Sequence, residues 1–165
     1  MPPYLAEFRS RYIDVATEGQ FSLMNDMYMA VDAHVYYSMV RHLKPKRIIE
    51  IGSGQSTRLA LDAMESNRAE GSPGTVTAIE PYPNEQLKQL AANGSLNLIE
   101  AKVQDVGMGV FEQLESGDIL FIDSTHVLRE GNDVQFEYLE LLPRLPEGVY
   151  VHVHDISLPR LYPKF

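Results

Sequence analysis

The sequence has no cysteine and no tryptophan, and it is short of positive charge: 14 Lys and Arg face 23 Asp and Glu, for a formal net charge of -9. Without cysteine there is no disulfide, no thiolate zinc site and no cysteine nucleophile. The shortage of cations argues against nucleic acid as a partner, because phosphate neutralisation needs clustered Lys and Arg. No run of about 18 apolar residues occurs, so no membrane span and no membrane partner are expected. The opening Met1-Pro2-Pro3-Tyr4 lacks a basic stretch leading into an apolar core, so it does not read as a signal peptide. Together these absences make a cytoplasmic protein the plain reading. No internal repeat or low-complexity tract is present.

What remains is an ordinary globular composition, 44% hydrophobic and 22% charged over 165 residues, enough for one domain with a sizeable core. Two helical patterns come first. Residues 4–18 place Leu5, Phe8, Tyr12 and Val15 at helical spacing; residues 23–42 carry Met24, Met27, Tyr28, Val31, Val35, Met39 and Leu43 on one side. Gly19 and Pro45 close them. Short apolar strands are then predicted at 47–51, 75–80, 96–101, 118–123 and 149–153. Helices are predicted between them at 56–68, 84–92, 110–114 and 133–142, the last with Phe136, Leu139 and Leu142 at helical spacing. Strands alternating with helices predict an α/β fold around a parallel sheet with right-handed crossovers. The expected layout is a single domain: N-terminal helices over 1–45, a cofactor-binding core over 46–157 and a coil tail over 158–165.

In such sheets ligands bind outside the carboxyl ends of the strands. Those ends are acidic here: Glu50, Glu80, Asp105, Asp123 and Asp155. The first reads Ile48-Ile49-Glu50-Ile51-Gly52-Ser53-Gly54-Gln55-Ser56-Thr57, a strand running into a glycine turn and a helix start. A nicotinamide-binding turn would carry a third glycine where Thr57 stands. A carboxylate at Glu50 is unfavourable beside a pyrophosphate and favourable beside a cation. S-adenosylmethionine has no phosphate and carries a sulfonium and an ammonium, so charge favours it. Glu80 could accept from both hydroxyls of a ribose, and Asp105 from an exocyclic adenine amine. The candidate cofactor-binding residues are Glu50, Gly52, Ser53, Gly54, Ser56, Thr57, Glu80, Asp105 and Asp123. Ser56 and Thr57 also read as plain helix-start residues.

These residues resemble the class I S-adenosylmethionine-dependent methyltransferases. Glu50-Ile51-Gly52-Ser53-Gly54 is similar to their first motif, and Glu80 to their ribose-binding acid. A closer resemblance, to a bacterial subfamily of methyltransferase-domain proteins, rests on three blocks: Ile49 to Thr57, Gly117 to Val127, and Leu142 to Ile156. It spans about residues 30 to 160. The resemblance implies a Rossmann-like three-layer sandwich with a mainly parallel five-stranded sheet in the order 3-2-1-4-5. It also implies S-adenosylmethionine as cofactor and methyl transfer to a small-molecule acceptor, at oxygen. In that family an antiparallel hairpin follows the fifth strand, and this sequence reaches Phe165 without one. Strand five would then be an apolar edge open to another chain, so a homodimer through that edge is expected.

An oxygen acceptor must lose its proton to a base or have its pKa lowered by a metal. Asp123, His126, His154 and Asp155 are the candidates for these roles, with Asp123 and His126 assigned to catalysis. Asp123 and Asp155, ending neighbouring strands, are the candidate ligands of a hard divalent cation such as Mg2+. His152 alternates with Val151 and Val153 and reads as a packed core histidine; His154 shares its face. Met24, Met27 and Met29 read as helix packing, with a lid as the alternative. Two other functions stay open. One is a binding or assembly module that keeps the cofactor fold without catalysis. The other is a nicotinamide-dependent oxidoreductase, against which Glu50 and Thr57 argue.

Overall fold

Five parallel strands form one sheet in the order β3-β2-β1-β4-β5. The computed structural model describes residues 2–12, 21, 23, 25, 28 and 30–156. The elements are α1 (Pro2–Tyr12), α2 (Ala30–Leu43), β1 (Arg47–Ile51), α3 (Gln55–Ala69), β2 (Thr75–Ile79), α4 (Glu85–Ala92), β3 (Asn97–Ile99), β4 (Ile119–Ile122), α5 (Asp133–Phe136) and β5 (Tyr150–Val153). Between β3 and β4, where the sequence predicts a helix over 110–114, the chain makes two 3-10 turns, Val103–Asp105 and Met108–Gln113. Val15, Gly19, Met24, Met27, Met29 and the tail over 158–165 lie outside the described residues. No described helix is long and apolar enough to cross a membrane.

Both faces of the sheet are covered, which is why β1 and β4 are apolar almost throughout. Ile48, Val76, Ala78, Ile119 and Phe121 face one core with α1, α2 and α3. Ile49, Ile51, Ile79, Leu120 and Ile122 face the other, against Val103, Phe111, Phe136 and Leu141. Among the described residues β5 is an edge, with Tyr150 and Val151 exposed.

The buried side of α2 is not the apolar stripe that the sequence suggests. Ala33, Tyr36, Tyr37 and Val40 are buried, whereas Val31 and Val35 are exposed. The tyrosines take the inner face because their rings fill it while their hydroxyls reach acids. Tyr36 donates to Glu50 Oε1 at 3.1 Å and stacks on Phe121 with ring centroids 4.5 Å apart; Tyr37 donates to Glu7. Arg41, also buried, pairs with Glu7 of α1 and with Glu70 just past α3, and donates to Asn67. One guanidinium therefore joins three helices.

The segment after β4 also departs from its sequence pattern. A continuous helix over 133–142 is predicted. Instead α5 ends at Phe136, a π turn takes Glu137–Leu141 and a 3-10 turn takes Leu142–Arg144. The wider i→i+5 turn shifts the inward face. Phe136, Glu137 and Leu141 are buried, and Leu139 is 66% exposed.

At the end where the strands begin, buried Asp118 accepts from the backbone N–H groups of Lys46, Arg47 and Glu115 and from the Arg47 guanidinium. Asp118→Ala strips these donors of their acceptor. It is expected to lower the unfolding free energy by about 3 kcal/mol, measured by urea denaturation.

Candidate functional site

The carboxyl ends of β1, β2 and β4 open onto a cleft of about 680 Å³, lined among others by Gly52, Glu80, Gln104, Asp123, Thr125 and Asp133. Its floor is the turn after β1. Gly52 has φ +83°, and a Cβ there would lie 2.1 Å from the backbone oxygen of Asp123. Only glycine accepts both that conformation and that approach. The turn is tied on both sides. Gly52 N–H donates to Ile79 O at 3.0 Å, and Asp123 N–H donates to Ile51 O at 2.9 Å. Gly54 then caps α3, its N–H donating to Thr57 Oγ1 at 3.1 Å. Ser56 and Thr57 are buried in the first turn of that helix, and Ser53 Oγ has no hydrogen-bond partner among the described residues.

The acids at the strand ends have different fates. Glu80 lines the cleft, with Oε1 accepting from Tyr82 N–H at 2.9 Å. Asp123 lines it too. Asp105 is exposed and outside the lining; its predecessors Lys102, Val103 and Gln104 line the cleft instead. Glu50 is also outside the lining. Strand alternation turns it toward α2, where it is wholly buried beneath the glycine turn. Burial pushes its carboxyl up to about 7, against the opposing effect of the Thr57, Tyr36 and Ser56 hydroxyls. Its Oε2 makes no hydrogen bond among the described residues.

Where β4 and β5 end, four titratable side chains meet. Asp123 Oδ1 lies 3.1 Å from His126 Nε2 and 3.3 Å from His154 Nδ1. Asp155 comes within 3.8 Å of His126 and 3.5 Å of His154, and His154 Nε2 lies 3.7 Å from Asp32 of α2. His126 and Asp155 both adopt left-handed backbone, φ +59° and +55°, a conformation in which Asp and His are enriched among non-glycine residues. Asp123, His126 and Asp155 each offer one ligand atom, all within 4.8 Å of one another. The two catalytic candidates and the two metal candidates from the sequence thus form one cluster.

His154 is the member that the sequence offers as a candidate but groups with the core-facing His152. It shares strand parity with His152, but β5 ends at Val153 and the chain turns, carrying the His154 ring to Asp123. His152 is half-buried, packed edge-on to Tyr36 at 5.3 Å, and burial lowers its pKa. Burial pushes the Asp123 carboxyl up, but hydrogen bonds and charge from His154 and His126 outweigh it and hold it below the usual range. The same hydrogen bond raises His154 above an ordinary histidine, against the effect of its own burial.

A group raised in this way stabilises the fold fully below its unfolded pKa, about 6.5, and the contribution fades as pH climbs through the folded value. In metal-free buffer, the His154 ring-proton NMR titration of Asp123→Asn is expected to have its midpoint at lower pH than wild type. The variant's loss of stability relative to wild type should be largest between about pH 4 and about pH 6.5, where Asp123 is ionised and His154 protonated, and shrink at higher and at lower pH.

Residues 49–156, which contain all of this site except Asp32, match the model of a family described as methyltransferase domain. A protein of Archaeoglobus fulgidus, described as uncharacterized, is 34% identical over 96 residues. The match covers 58% of this chain and 42% of that protein, so the chain spans less than half the length of this curated relative. Among solved structures, a Plasmodium falciparum protein described as a candidate protein-L-isoaspartate O-methyltransferase, in complex with S-adenosyl-L-homocysteine, is similar at 16% identity. Its TM-score is 0.42, over 62% of this chain and 53% of that one. The family model covers well over half of the sequence, and the chain belongs to the methyltransferase domain family.

Proposed function

We propose that the chain binds S-adenosylmethionine in the cleft at the ends of β1, β2 and β4 and directs methyl transfer to an oxygen of a small-molecule acceptor. The observation that carries this reading is the turn at Gly52, closed to any side chain by Asp123 O, with Glu80 at the next strand end on the same cleft. When bound, the cofactor supplies an electrophilic methyl carbon on a sulfonium. The residues around it act mainly by positioning, which removes entropy from a two-body reaction.

Glu80 has one oxygen engaged by the Tyr82 amide and sits where ribose hydroxyls could donate to it. Asp123, kept ionised by two histidines, supplies negative charge that favours a sulfonium or ammonium. With His126 Nε2 directed at Asp123, the neutral tautomer that donates there leaves the Nδ1 lone pair free to take the acceptor's hydroxyl proton.

A second reading uses the same cluster differently. Asp123, His126 and Asp155 would hold a divalent cation, which lowers the pKa of an acceptor hydroxyl. Titration calorimetry with Mg2+ and Mn2+ separates the two: heat of binding in wild type that is lost in Asp155→Ala favours the cation, and no binding by wild type removes it.

Calorimetry with S-adenosylhomocysteine tests the leading reading. Folded wild-type protein should bind, Glu80→Ala should bind about tenfold or more weakly, and Asp105→Ala should be unchanged. No binding by the folded chain would overturn it. Binding without turnover across a broad acceptor panel would point to a non-catalytic module.

A further inference from the structure

A second cavity, about 330 Å³, lies between the end of β4, the π turn and β5. Ile122, Leu128, Val134, Leu139, Val153 and Ile156 make most of its wall apolar. Within that wall sits Glu137, with no exposure to solvent. Ser124 Oγ donates to Glu137 Oε2 at 2.9 Å. Glu137 Oε1 is buried with no hydrogen-bond partner among the described residues.

A buried carboxyl oxygen left without a hydrogen-bond partner costs free energy. The position is not an accident of helix periodicity. The π turn swings Glu137 inward and Leu139 outward, the reverse of the pattern written in the sequence. Turns of this kind recur at functional sites. The cavity also touches the cofactor cleft: Ser124 lines both, one residue from Asp123, and His126 lines the apolar cavity while contacting Asp123.

We propose that this cavity holds the methyl acceptor as a hydroxylated apolar molecule, one hydroxyl anchored on Glu137 Oε1 and the remainder extending past Ser124 toward Asp123 and His126. Glu137 is then the residue that selects for the hydroxyl. Burial, together with the Asp133 charge and against the Ser124 hydrogen bond, pushes the Glu137 carboxyl up to about 7. A neutral hydroxyl suits both forms of such a group, accepting from the acid and donating to the anion. An ammonium would suit only the anion, and a plain hydrocarbon would leave Oε1 bare. That the bound molecule is the acceptor rests on the methyl-transfer reading; the cavity's preference for a hydroxyl does not.

The test compares 4-ethylphenol with 4-ethyltoluene, titrated into the full chain and followed through the methyl NMR signals of Leu139 and Val153. Wild type should bind the phenol about tenfold or more tightly than the hydrocarbon. Glu137→Leu should abolish or reverse that preference. Glu137→Gln, which keeps an acceptor and the shape, should retain part of it and serves if the leucine variant folds poorly. S-adenosylhomocysteine affinity should be unchanged in both variants. Equal binding of the two probes by wild type, no binding of either, or a preference untouched in both variants would overturn the inference. If S-adenosylhomocysteine binds while the phenol preference is missing, this inference falls and the cofactor reading stands. If the preference is present while S-adenosylhomocysteine fails to bind, the cofactor reading falls and the hydroxyl pocket stands.

Discussion

The rest of the site depends on how closely β1 and β4 approach at their carboxyl ends. Asp123 O occupies the space where a Cβ at position 52 would be. That contact fixes the glycine, and the glycine fixes the turn. The turn sets where α3 starts, with Gly54 N–H held by Thr57. The same contact sets Asp123 directly across the cleft floor from the turn. A sheet with a wider β1–β4 spacing would lose the turn and the placement of Asp123 together.

Polar groups divide by location. Asp118, where the strands begin, has both oxygens fully engaged, and Arg41 is held by three partners between the helices. These groups are satisfied and serve the fold. Glu50 and Glu137, on opposite faces of the sheet near the carboxyl ends, each keep one buried oxygen without a hydrogen-bond partner among the described residues, and burial pushes each up to about 7. Stability alone favours replacing such groups with apolar ones. Their location beside the cleft and beside the apolar cavity puts both at the end of the sheet where ligands bind in open α/β folds.

Asp123 links the two. Its backbone closes the glycine turn, its side chain faces the cofactor cleft, and its carboxylate gathers His126 and His154. His126 and Asp155, both in left-handed backbone, lie in the segments after β4 and β5 that turn back toward it. In the proposed reading, cofactor and acceptor chemistry would meet at this one carboxylate; Ser124 beside it lines both cavities.

The strands, the glycine turn and the acids at the strand ends were legible in the residues, because they are local; the strand order came from the resemblance to a family. A buried parallel strand needs a short apolar run, and a φ of +83° needs glycine. Long-range packing decided the rest. Strand parity alone could not show that Glu50 lies beneath the turn, because its depth is set by Tyr36 reaching across from α2. Asp105 and Gln104 are neighbours in sequence, and only the 3-10 turn chooses which faces the cleft. His154 joins Asp123 because β5 stops one residue earlier. The inward swing of Glu137 is a π turn, whose extra residue leaves no mark in a hydrophobic pattern read at helical spacing. Local chemistry placed the cofactor turn; the side chains that would choose and deprotonate an acceptor took their positions from tertiary contacts.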